Sequence, residues 1–154
     1  MADPSPPPQT TARREPGTRE FVALVAALMA ANALAIDAML PALPAVGESH
    51  GVAEDNRRQL VITAYLLGFG FAQLIYGPLS DRFGRKRLLM GGLIVYGIFG
   101  LLAGIASSFA LLLAARAIQG LAAAATRVLV VSFVRDRYQG SAMAQIMSTV
   151  VIVF

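Results

Sequence analysis

The sequence predicts an all-α membrane protein, a bundle of transmembrane helices, on three observations. Apolar residues make up 56% of the chain and charged residues only 14%, whereas a soluble domain carries about 25% charged residues. The apolar residues recur in long runs, and a spanning helix needs ~20 of them in succession. The cations gather between the runs: Arg82, Arg85, Lys86 and Arg87 fill one short connection. A soluble helical core has no use for four cations wedged between two segments that must both be buried.

Residues 1–19 are rich in Pro, Thr, Ser and Arg. Such a stretch cannot bury a core and is expected to be a disordered cytoplasmic tail. It does not read as a secretory signal, because the apolar run that follows is too long and no small-residue cleavage site closes it. Residues 20–154 read as one transmembrane domain with five apolar segments. The first span, 21–40, stops at Pro41 and Pro44. The second covers 59–79 and the third 88–106. Ser107 and Ser108 are candidate N-caps for the fourth, 109–134. The fifth begins at Ser141 and is cut off at Phe154, short of the ~20 residues needed to cross. The chain is therefore expected to be a fragment ending inside a helix.

Cation placement sets the expected orientation. Arg13, Arg14 and Arg19 precede the first span, Arg82, Arg85, Lys86 and Arg87 lie between the second and third, and Arg135 and Arg137 follow the fourth. Those nine fall on one side. Only Arg57 and Arg58 fall on the other, in a loop that also holds Glu48, Glu54 and Asp55. This bias places the N-terminus and the basic loop in the cytoplasm.

Several function classes drop out. The chain has no cysteine, which excludes disulfides, thiol catalysis and cysteine metal sites. The net charge of +4 does not point to nucleic acid, because no basic face is interleaved with aromatics. No Gly-Lys-Ser/Thr phosphate loop is present, so ATP hydrolysis is not expected. Neither an enzyme activity nor a bound cofactor or metal is expected. His50, alone in a polar loop, is expected to be solvated.

A few residues do carry chemistry. Asp37 lies near the outer end of the first span. A carboxylate in hydrocarbon must face a partner or a wet cavity, or be protonated; the alternative is an interfacial Asp capping the loop. Arg116 lies about 10 Å into the fourth span, at 1.5 Å per residue. Gln119, Gly120, Ala123 and Arg127 follow on the same helical face, which favours a wet cavity over snorkelling. Tyr65, Phe69, Gln73 and Tyr76 form a ridge on the second span, either a substrate path or helix packing. Gly68-x-x-x-Ala72 and Gly100-x-x-x-Gly104 read as close-packing motifs.

The 77–87 loop supplies a resemblance. Gly77, Leu79, Asp81, Arg82, Gly84, Arg85 and Lys86 fill every position of Gly-x-Leu-x-Asp-Arg-x-Gly-Arg-Lys/Arg. That pattern resembles the loop between the second and third helices of major facilitator superfamily transporters. With the 36–44 stretch around Asp37 and the 116–120 and 134–138 stretches, the chain from residue 20 onward resembles the Bcr/CflA-type drug:proton antiporters. The resemblance implies the N-terminal part of a six-helix half, in a multi-pass carrier of the bacterial inner membrane. It implies export of bicyclomycin- or chloramphenicol-like drugs, driven by the proton gradient and needing no cofactor. Asp37 and Arg116, with Gln119 and Arg127, become candidates for proton coupling or substrate contact. Gly77, Asp81, Arg82, Gly84, Arg85 and Lys86 become a conformational latch in which the carboxylate holds guanidinium groups. The expected partners are lipid, a drug, protons and the C-terminal half of the same carrier. Rival readings are an uptake carrier for a small nutrient, a truncated fragment that transports nothing, and a small four-helix exporter working as a dimer; the last would not need the 77–87 loop.

Overall fold

The computed structural model describes residues 18–137 and, beyond them, residues 140, 143, 144 and 148. The expected tail up to residue 17 and most of the expected fifth span lie outside the described residues.

Helix α1 covers Thr18–Asp37. It stops before Pro41, because the residue ahead of a proline is pushed out of helical geometry. The span was expected to reach residue 40, but residues 38–42 are a turn. A short helix α2, Leu43–Ser49, follows with Pro44 in its first turn, where its missing N–H costs nothing. Helix α3 is a single turn, Asp55–Arg58.

Helix α4, Leu60–Phe83, continues through Pro78 and four residues past the expected end. It stops at Gly84, whose φ of +82° lies in the region that glycine enters without steric cost. Helix α5, Arg85–Gly104, begins at the next residue. The basic loop is thus a one-residue corner: its cations are helical, carried on the last turn of α4 and the first turn of α5. Helix α6 covers Phe109–Arg137. Ser108 caps it as expected, its Oγ accepting from the Leu111 N–H at 3.3 Å.

Helix α6 is the axis of the bundle. Helices α4 and α5 each pack along it and hardly touch one another. Its run Ala122–Thr126 is buried at every position. The crossing with α4 is reciprocal. A methyl group on Gly68 would strike the Ala117 carbonyl, and one on Gly120 would strike the Tyr65 carbonyl. Ala72, four residues on from Gly68, is 1% exposed, so that motif packs as expected. On α5, Gly100 faces Gln119, but Gly104 has no neighbour for a side chain to meet. The second motif therefore packs only through its first glycine.

Large apolar side chains cover the outside of α4 and α5, with Leu74 78% and Leu101 76% exposed. Among the described residues three helical stretches, Asp55–Phe83 (α3 with α4), Arg85–Gly104 and Phe109–Ser132, are long and apolar enough to cross a membrane; the apolar stretch of α1 is Val22–Asp37.

The end opposite the basic corner is tied down by side chains. Arg58 donates to the Val52 carbonyl at 2.8 Å, the Ala53 carbonyl at 3.0 Å and the Asp55 carboxylate at 3.1 Å. His50 is not simply solvated. Its Nε2 reaches the Ala106 carbonyl at 3.1 Å and its ring meets Phe109 edge-on, joining the connection after α2 to the one between α5 and α6.

Candidate functional site

A polar cluster lies inside the apolar bundle. Arg116 is half-buried on α6, two turns from its start. Its Nη1 donates to Gln119 Oε1 at 3.2 Å, one turn further on. Gln119 is only 5% exposed. Arg116 Nη2 lies 3.2 Å from the sulfur of Met39, in the turn that follows α1. The third guanidinium nitrogen, Nε, is buried with no hydrogen-bond partner among the described residues. A buried donor left unmet is costly.

Two tyrosines complete the cluster. Tyr65 of α4, 2% exposed, donates to Asn32 Oδ1 of α1 at 2.6 Å. Its ring stacks against Phe69. Tyr96 of α5 donates to the Ala31 carbonyl of α1 at 3.1 Å. Arg116 lies within electrostatic range of both phenols. An open cleft of about 400 Å³ between α1, α5 and α6 reaches this cluster. Leu34, Ala35 and Ala38 form its apolar wall, and Tyr96, Arg116 and Gln119 its polar one.

The other candidates sit elsewhere. Asp37 is exposed on the last turn of α1, where the helix dipole disfavours a carboxylate. It does not line the cleft and makes no ion pair with Arg116; among the described residues the ion pair is Arg58–Asp55. Arg127 is exposed on α6, and Gln73 is exposed on α4. The face shared by Arg116 and Arg127 is not a continuous wet wall, because Gly120 and Ala123 between them are buried in helix contacts.

At the basic corner, Asp81 is adjacent in sequence to Arg82 but exposed, with no ion pair to Arg82 or Arg85 among the described residues. Arg85 instead reaches across to the Ser132 carbonyl of α6 at 3.4 Å. The Arg82 guanidinium lies 5.6 Å from the ring centre of Phe83, and Lys86 is exposed. Gly77 has open space around it, and its carbonyl accepts from the buried Ser80 hydroxyl at 2.8 Å.

Residues 25–154 match the family model of the Major Facilitator Superfamily. The chain belongs to this superfamily. It is a multi-pass membrane protein of a transporter family, not of an enzyme family. It is 39% identical to the puromycin resistance protein pur8 of Streptomyces alboniger, over 77% of this chain and 24% of that protein. It is 37% identical to a chloramphenicol resistance protein of Pseudomonas aeruginosa, over 70% of this chain and 25% of that protein. Multidrug resistance protein D of Escherichia coli strain K12 is 35% identical, over 73% of this chain and 28% of its own length. The chain therefore spans about a quarter of the length of the curated relatives it matches. No solved structure matches it.

In this superfamily chain, sequence reasoning missed Asn32 and Tyr96. Asn32 had a visible signal: it is the one amide of the first span, in the middle of the apolar run that precedes Asp37, and a polar group there must find a partner. Tyr96 had none, because a tyrosine in an apolar run also reads as packing.

Proposed function

We propose that this chain is the N-terminal part of a proton-driven drug exporter of the bacterial inner membrane, with its N-terminus in the cytoplasm. The observation that carries the reading is Arg116, held half-buried in an apolar bundle with its Nε unpartnered and a cleft beside it. An intramembrane cation of this kind marks a substrate or ion pathway. The cleft pairs an apolar wall with a few polar groups, which suits a largely apolar drug bearing polar substituents. The resistance proteins among the relatives support export over nutrient uptake.

In this reading Arg116 and Gln119 orient the substrate or its coupled proton, Tyr96 extends the polar wall, and Asp37, exposed on the last turn of α1, exchanges the proton. The basic corner, with Asp81, Arg82 and Arg85, holds the cytoplasmic end and changes partners as the bundle moves. Alternating access then needs a second bundle, which a longer carrier would supply.

The test uses the complete carrier in everted vesicles, with chloramphenicol and puromycin as trial substrates. Accumulation that follows an imposed pH gradient, stops with a protonophore and weakens in Asp37→Asn supports the reading. Gradient-driven uptake of a nutrient in right-side-out vesicles, with no drug movement, points to the uptake carrier. No transport in either vesicle type leaves a membrane protein that carries nothing.

A further inference from the structure

We propose that the corner between α4 and α5 binds one anionic phospholipid, its phosphate between Arg82 and Arg87 and one acyl chain in the groove over Gly91 and Gly92. The inference rests on the chain being embedded in a membrane and not on what it transports.

Two clefts meet at this corner. One, of about 330 Å³, is lined by Arg82, Phe83, Arg87 and Leu88. The other, of about 230 Å³, has Tyr76 of α4 on one side, Val95 of α5 on the other, and Ile118 and Leu121 of α6 as its floor. Arg87 and Leu88 line both, so a charged mouth continues into an apolar trough. The trough exists because α4 and α5 pack on α6 and not on each other. Gly91, where a side chain would start in open space, lowers its α5 wall, and Gly92 lets α5 sit close on Ala125 of α6.

The mouth calls for an anion. Arg82 and Arg87 are exposed, and neither has a hydrogen bond or ion pair among the described residues. The Arg82 guanidinium lies over the ring of Phe83, the next residue. Helix α5 opens with Arg85-Lys86-Arg87 and has no side-chain cap. Cations at the positive end of a helix are unfavourable unless an anion joins them. The trough, in contrast, calls for hydrocarbon. A soluble phosphate would fill only the mouth, and a neutral lipid only the trough. An anionic phospholipid fills both, and basic pockets between membrane helices take such headgroups.

The experiment is native mass spectrometry of the complete carrier in mild detergent, with added phosphatidylglycerol or phosphatidylcholine. Phosphatidylglycerol should be retained in preference. Arg87→Gln should lower its retention about fivefold, and Arg82→Gln with Arg87→Gln about 25-fold, each cation near an anionic headgroup counting for about fivefold. Arg87→Lys should keep most of the retention, which separates lost charge from lost fold. Gly91→Leu should also lower retention, and its new side chain starts in open space. Arg57→Gln, at the opposite end, should change nothing. Equal retention of both lipids, or full retention in the double variant, overturns the proposal. Displacement of phosphatidylglycerol by millimolar inorganic phosphate, or full retention in Gly91→Leu, reduces the site to a bare anion mouth. No retained lipid of either kind means the trough is closed by another part of the carrier itself.

Discussion

The Tyr65 hydroxyl donates to the Asn32 side-chain oxygen at 2.6 Å, tying the middle of α4 to the middle of α1. Neither group has water to fall back on inside a bilayer. Tyr65→Phe is therefore expected to lower stability by about 1 kcal/mol, the usual scale of an interhelical hydrogen bond in a membrane. Combining it with Asn32→Leu should cost less than the sum of the single changes, because the double variant leaves no orphan. Thermal unfolding of the complete carrier in detergent measures all three; strict additivity would mean the two groups do not depend on each other.

The crossing of α4 and α6 has no room for a side chain at Gly68 or Gly120. Gly68→Leu and Gly120→Leu should each destabilise by about 3 kcal/mol, because the obstruction is backbone and cannot rotate away. Gly70→Leu, two residues on from the crowded Gly68 and facing open space, should stay within about 0.5 kcal/mol of the parent. Folded yield after size-exclusion chromatography separates the two classes.

Arg116 contacts Gln119 and Met39 through two different nitrogens of one planar fork. A lysine is a point charge and cannot reach both. Arg116→Lys should reduce the initial rate of drug entry into everted vesicles about tenfold, equivalent to ~1.4 kcal/mol, at unchanged expression. A parent-like rate would leave Arg116 as a snorkelling side chain.

The expected topology can be read with single cysteines, since the chain has none of its own. Ser80 is 5% exposed and would report packing instead of sidedness. Lys86 and Ser49 are both exposed and lie at opposite ends of the bundle. In intact cells an impermeant thiol reagent should label Ser49→Cys and spare Lys86→Cys. The reverse pattern would invert the orientation.

Hydropathy made the membrane helices legible because burial in lipid is a composition-level demand. It misplaced their ends at the basic corner, where charge reads as loop although Arg82, Arg85, Lys86 and Arg87 are helical on either side of Gly84. Gly84 itself could have signalled the corner, since a one-residue connection requires a positive φ. In the site, Arg116 and Gln119 were visible from their spacing of three. Their separation from Asp37 was not, because it depends on where α1 stops, and a proline four residues downstream fixes that only to within a turn. Tyr96 and the Ala31 carbonyl are 65 residues apart in sequence, and no local pattern links them.

The central place of α6 has a consequence for biogenesis. Helices α1, α4 and α5 leave the ribosome before the surface they share has been made, and chains are synthesised from the N-terminus at ~5–20 residues per second. During that interval Tyr65 lacks the α6 glycine that seats it, and α4 and α5 have no large contact with each other. The early helices must wait in the membrane as unassembled guests, shielded by the insertion machinery or exposed to membrane proteases. A nascent chain stopped short of Phe109 lacks the surface on which α4 and α5 pack.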